Sequence, residues 1–181
     1  MSTRNIIVLG ALGAGKSTVL NILNSKSNNS NKKVFISSNS LNGCTQEFDS
    51  DIAEIPELGR VFLSDSPGLA DPRLPIDMWT NLYNKSIANK NIKFDLVICV
   101  IEHAERPSIK EFTLFALLNQ AFNAMGVENL VIIFNKCPRE IDQIDALEFY
   151  NECCNNSKSK TEFPILKTER ILVLERKAGI K

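Results

Sequence analysis

The chain has 181 residues of which 44% are apolar, enough for one packed domain and too little for a comfortable second. Its 21 Lys plus Arg offset 21 Asp plus Glu, which excludes the basic field that nucleic acid or an anionic membrane would need, so no nucleic-acid partner is expected. Five cysteines (Cys44, Cys99, Cys137, Cys153 and Cys154) form no CxxC pair, and the single histidine, His103, leaves no zinc-type spacing. Reduced cytosolic thiols are the default, and no segment approaches the roughly eighteen apolar residues of a membrane span. Nor is the apolar run after Met1 to Asn5 long enough for a signal peptide; a cytoplasmic location is expected.

The first element is the apolar run Asn5 to Leu9, a strand. It feeds Gly10-Ala11-Leu12-Gly13-Ala14-Gly15-Lys16-Ser17, and an amphipathic helical segment from Thr18 to Leu23 follows. Strand, glycine-rich loop and helix in that order make a nucleoside triphosphate site. The glycines let successive backbone N–H groups face the phosphates, Lys16 reaches the β- and γ-phosphates, and Ser17 offers its hydroxyl to Mg²⁺. The helix N-terminus, where Thr18 also lies, adds its dipole. The eight-residue pattern recurs by chance, so the strand-then-helix context carries the reading against a ligand-free glycine turn.

Asn24 to Lys33 is too polar to bury anything and reads as a mobile loop. Phe48 to Ile55 then pairs with Arg60 to Ser64 as an antiparallel edge hairpin turned by Pro56, Leu58 and Gly59. Further strands are expected at Asp95 to Ile101, Asn129 to Asn135 and Arg170 to Leu174. All are short and β-branched, as strands covered on both faces should be. Between them, Ile76, Trp79, Tyr83 and Ile87 form one helical stripe, and Ile109, Phe112, Phe115, Leu118 and Phe122 another, with Gly126 as a C-cap. In a third helix Ile144, Leu147 and Asn151 compete with Phe149, Tyr150 and Cys153 for the inner face. The aromatic stripes read as core, not as a cofactor box. The alternation predicts an α/β, three-layer P-loop NTPase fold: a mostly parallel central sheet, helices on both faces and one antiparallel edge strand.

Asp65-Ser66-Pro67-Gly68 directly follows the strand Val61-Phe62-Leu63. A carboxylate there can hold the Mg²⁺ shell, and a glycine three residues on lets its N–H approach a γ-phosphate oxygen. An incidental Pro-Gly turn is the bland alternative, weakened by the phosphate loop upstream. A nucleotide switch also needs a hydroxyl from the loop after the first helix. Thr45, 28 residues after Ser17 and 20 before Asp65, is the candidate, with Ser38 and Ser40 as rivals and plain solvation as the alternative.

Together, Gly-Ala-Gly-Lys-Ser, a Thr before an edge strand and Asp65-Ser66-Pro67-Gly68-Leu69 resemble the immunity-associated nucleotide-binding GTPases of the AIG or GIMAP type, relatives of septins and chloroplast-import GTPases. The likeness extends through Asp95 to Ile101, the helix around Phe112 to Met125 and Val131-Ile132-Ile133-Phe134-Asn135-Lys136. It implies GTP or GDP with Mg²⁺ as ligands, and a nucleotide-dependent homodimer or oligomer that exchanges an arginine across the nucleotide face. The matching stretch is Ile101 to Ser108, which makes Arg106 the candidate finger, with Glu102, His103 and Glu105 as further interface residues. The alternatives are that Arg106 merely precedes the helix beginning near Ser108, and that His103 is solvated or a general base.

Three positions depart from the pattern. Guanine selectivity in such proteins uses Asn/Thr-Lys-x-Asp; here Asn135 and Lys136 match, but Pro138 replaces the aspartate. Losing such charge-assisted bonds costs on the order of 1.5–3 kcal/mol each, enough to blur guanine against adenine. Asp142 is the nearest carboxylate downstream, and Glu175, after the last strand, is a second stand-in whose alternative is an exposed charged tail. Leu69 occupies the place of the glutamine that orients water in Ras-like enzymes, so hydrolysis would be slow without help. The chain ends at Lys181, before the helix expected to follow the last strand. A minimal fold and a segment of a longer, membrane-attached protein are the two readings.

The expectation is therefore one G domain over residues 1–181: a Mg²⁺-dependent GTP-binding switch or assembly module in which Lys16, Thr45, Gly68 and Arg106 act on the phosphates. Gly10, Ala11, Leu12, Gly13, Ala14, Gly15, Ser17, Thr18, Asp65, Asn135, Lys136 and Glu175 hold the nucleotide, and Ser17, Thr45 and Asp65 hold the metal. The rivals are a catalytically inactive nucleotide-bound scaffold, favoured by Leu69 and Pro138, and a P-loop ATPase or kinase.

Overall fold

A computed structural model describes residues 3–28, 34–36, 47–71, 73–102, 109–125, 129–137, 141–156 and 170–175. Six strands form one sheet: β1 (Arg4–Gly10), β2 (Asp49–Ile55), β3 (Gly59–Asp65), β4 (Leu96–Glu102), β5 (Leu130–Cys137) and β6 (Ile171–Glu175). Their spatial order is β2-β3-β1-β4-β5-β6, with only the β2–β3 pair antiparallel. The helices are α1 (Lys16–Ser25), α2 (Ile76–Ser86), α3 (Ile109–Met125) and α4 (Gln143–Asn156). This is the expected mostly parallel sheet with one antiparallel edge, and each strand starts or ends within a residue or so of its sequence-based bounds.

Alternation along the strands divides the core into two layers. Ile7 and Leu9 of β1, with Val97, Cys99 and Ile101 of β4, face the cluster containing Trp79, Phe115 and Tyr150 from α2, α3 and α4. Ile6 and Val8, with Ile98 and Val100, face Val19 and Leu20 of α1. Because both faces are covered, the strands read as unbroken apolar runs. The aromatic stripes are core, as expected: Trp79, Tyr83, Phe115 and Leu118 are buried. In α4 the competition resolves in favour of Phe149, Tyr150 and Cys153, which are buried, while Ile144 is 60% exposed. Burial also pushes the Cys99 and Cys153 thiols up, and Cys154 up to about 11, leaving little reactive thiolate near neutral pH.

One expectation needs correcting. The polar stretch beginning at Asn24 does bury residues: Asn24 and Ser27 are both inside. The Asn24 side-chain amide donates to Asp51 Oδ2 at 3.2 Å, the Glu54 N–H donates to Ser27 Oγ at 3.0 Å, and the Asn28 N–H donates to the Glu54 carbonyl at 2.9 Å. Low apolarity excludes hydrophobic burial, but it does not exclude polar residues that satisfy the outer edge of β2. Residues 29–33 lie outside those described. Farther on, Phe35 plugs the α1-side core, clamped by Asn21, whose side chain both donates to the Phe35 carbonyl and accepts from its N–H at 2.8 Å.

Candidate nucleotide site

The phosphate loop lies at the C-terminal end of β1, whose neighbours are β3 on one side and β4 on the other. The chain leaves β1 to build the hairpin on one side and crosses to the other only after β3. A crevice forms at such a switch point, outside the carboxyl ends of the strands.

The loop is a set of carbonyls tied down from behind. Asn135 Nδ2 donates to the Ala14 carbonyl at 2.9 Å, Lys136 Nζ to the Gly13 carbonyl at 3.1 Å, and Lys16 Nζ to the Ala11 carbonyl at 3.0 Å. The Ala14 N–H closes the turn on the Ala11 carbonyl at 3.3 Å, and a loop curled in this way can present further backbone N–H groups to an anion in its concavity. Gly15, at φ 103°, starts α1 with its would-be Cβ position against the Asn135 amide, so only glycine fits there. Asn135 and Lys136, expected as base-side residues, brace the phosphate loop. Lys136 adopts a left-handed φ of 61° and also meets Glu102 Oε2 at 3.2 Å. That pair is solvent-exposed and contributes little energy, but it aims the lysine at the loop.

Lys16 is only 6% exposed. Burial lowers its pKa, opposed by the carboxylates of Asp65 and Asp71, so the ammonium sits where an added negative charge would be most welcome. Beside it, Ser17 Oγ donates to Asp65 Oδ2 at 2.7 Å, both residues being buried. Hydroxyl and carboxylate are hard oxygen ligands of the kind that, with phosphate oxygens, suit Mg²⁺. No group of three or more His, Cys, Asp or Glu that could hold a metal by itself occurs among the described residues. A cation here would depend on phosphate to complete its shell.

The segment after β3 crosses the loop. The Leu69 N–H donates to the Gly10 carbonyl at 3.0 Å, and a Cβ on Gly68 would come 2.9 Å from the Leu12 backbone. Gly68 thus lies against Leu12 of the phosphate loop. Leu69 is 2% exposed and belongs to the core. The position that carries the water-orienting glutamine in Ras-like enzymes is therefore turned inward, beyond its lack of a polar group.

Thr45 and Arg106, with Ser38, Ser40, His103, Glu105 and Pro138, lie outside the described residues. Glu175 ends β6 beside Cys137, and its side chain is not described. Asp142 is already engaged: its Oδ1 accepts the N–H of Ile144 at 2.7 Å and of Asp145 at 2.9 Å, so it caps α4. Asp142→Ala is expected to cost about 1 kcal/mol of stability, read by urea unfolding. A loss of guanine affinity with unchanged stability would reverse this assignment. Composition missed two further participants, Trp79 and Phe48. Trp79 Nε1 donates to the Pro67 carbonyl at 3.2 Å, and Phe48 packs edge-on to the indole. A helical stripe says that a residue is inside but not what its polar atom touches.

Fold and loop define a P-loop nucleotide-binding domain of the GTPase class. Residues 4–177 match the model of the AIG1 family, and the chain belongs to that family. Among solved structures it is similar to a chain from the chloroplast translocon components atToc33 and psToc159, for which dimerisation is described as important for GTPase activity. The TM-score is 0.66 at 14% identity, over 97% of this chain and 70% of that one. At that identity the likeness speaks for the fold alone. No curated protein matches the sequence.

Proposed function

We propose that this AIG1-type G domain binds GTP and GDP with Mg²⁺ and works as a nucleotide-controlled switch or assembly module with slow hydrolysis. The observation that carries the reading is the buried Ser17 Oγ to Asp65 Oδ2 contact of 2.7 Å, made across 48 residues at the mouth of the phosphate loop. Lys16 holds the β- and γ-phosphates, Ser17 and Asp65 hold the metal, and the Gly68 N–H meets the γ-phosphate. Mg²⁺ bound there supplies charge neutralisation to the phosphate oxygens. Thr45 closes over the triphosphate, and Glu175 stands near the base. With Leu69 in the core, water activation has no partner at that position. Hydrolysis therefore depends on a second copy, whose Arg106 would stabilise the phosphate charge. The likeness to the translocon GTPases, for which dimerisation is described as important, supports that route. None of the described helices is long and apolar enough to cross a membrane, and a cytoplasmic location remains part of the proposal.

The test compares fluorescent GTP and ATP analogues on the purified domain. A preference for the guanine analogue is expected; equal affinities would remove the guanine assignment. Phosphate release per molecule should rise with protein concentration and fall in Arg106→Ala. The buried Leu69 also favours a second reading, a nucleotide-held scaffold without turnover. It is the one left standing if no phosphate is released at any concentration.

A further inference from the structure

Trp79 is the chain's only tryptophan, and it is completely buried. Three contacts around it join parts of the site that are far apart in sequence. Its indole N–H donates to the Pro67 carbonyl at 3.2 Å. Phe48, one residue before β2, packs edge-on with ring centroids 5.2 Å apart. Tyr83, one turn along α2, stacks flat on the indole at 5.9 Å and 5°, and it also meets Phe48 edge-on at 5.9 Å.

The first contact has a geometric consequence. The described residues contain no cis peptide bond, so the Pro67–Gly68 unit is planar and trans, and its C=O and N–H point in opposite directions. With the carbonyl held by an indole on α2, the Gly68 N–H faces away from α2. Gly68 itself lies on Leu12 of the phosphate loop, and the next amide, Leu69, is tied to Gly10. Rotating this peptide would break the indole bond and strand a buried N–H, which is costly in a dry core.

We propose that Trp79 is a positioning residue for triphosphate recognition: it holds the Pro67–Gly68 peptide so that the Gly68 N–H is presented to the γ-phosphate, and through Phe48 it couples that peptide to the start of β2. The inference rests on the nucleotide reading above and assigns to one core side chain the distinction between triphosphate and diphosphate. A tryptophan that only filled space would affect both nucleotides alike.

Trp79→Phe keeps an aromatic ring and removes the indole N–H. Its affinity for a non-hydrolysable GTP analogue is expected to fall about tenfold while its affinity for GDP stays within about twofold, the loss of one well-made hydrogen bond. Tyr83→Leu removes the ring stacked on the indole and leaves the N–H, so it should lower stability without changing the triphosphate-to-diphosphate ratio. An unchanged ratio in Trp79→Phe, or an equal fall for both nucleotides, overturns the inference while wild-type binding leaves the site reading intact. Wild-type protein that binds neither nucleotide removes both. Should Trp79→Phe fail to fold, the wild-type tryptophan itself decides. Its emission is expected to differ between the complexes with the GTP analogue and with GDP, and identical emission overturns the proposal.

Discussion

Lys16→Ala is expected to lower triphosphate affinity by at least about 100-fold, while the nucleotide-free protein unfolds within about 1 kcal/mol of wild type. The two halves have one cause. In the free protein the Lys16 ammonium is buried with only a backbone carbonyl at 3.0 Å and two carboxylates to offset its desolvation, and burial is the dominant influence on its pKa. Removing it relieves the desolvation of a buried ammonium, which offsets the loss of its contacts and keeps the cost to the fold small. Removing it from the complex takes away a side-chain cation buried at the loop where the phosphates are proposed to bind. Thermal unfolding with and without GTP and Mg²⁺ separates the two. Ligand at 100 times its dissociation constant stabilises by about 2.7 kcal/mol, and that increment should vanish in the variant while the ligand-free midpoint holds. A retained increment would show that the nucleotide, if it binds, does so elsewhere.

Gly10→Ala should be among the most destabilising single substitutions in the chain, on the order of 3–5 kcal/mol. Gly10 ends β1 at φ 150°, paired in register with Val100 of β4, and a Cβ would be driven into the Val100 carbonyl. That oxygen belongs to the backbone of a central strand. It cannot swing aside, so the strands must separate where the sheet meets the phosphate loop. Gly13→Ala is the informative comparison. Gly13 also has a positive φ, 77°, but a Cβ there meets nothing within 4 Å, so only conformational strain of about 1–2 kcal/mol is expected. Urea midpoints that placed the two variants together would refute the account, since most of the expected difference comes from the Val100 contact.

The nucleotide loop was legible because its chemistry is local: glycines, Lys16 and Ser17 are contiguous, and the strand before and the helix after are written in short apolar patterns. The Asp65 to Gly68 segment was legible for the same reason, and the edge hairpin followed from alternation with a turn at Gly59. What the sequence could not convey was partnership. Asn135 and Lys136 suggested a base pocket, and the spacing did not say that their side chains also reach back more than a hundred positions to brace Ala14 and Gly13. Asp142 suggested a replacement carboxylate and is a helix cap. Asn24 and Ser27 suggested a loose loop and instead satisfy β2.

The sequence by itself determined that a phosphate-binding loop sits at the end of a buried strand in an α/β chain with a second, acidic motif after β3. It also determined that the usual glutamine and base-reading aspartate are absent, since each of these is a statement about neighbours in the chain. Only the tertiary structure decided that Ser17 and Asp65 meet, that Leu69 turns into the core, and that Trp79 grips the Pro67 carbonyl. Those contacts join α1, β3 and α2 across the switch point of a mostly parallel sheet. Hydrogen-bond direction and burial at such a junction are properties of packed elements, and no spacing along one strand or helix contains them.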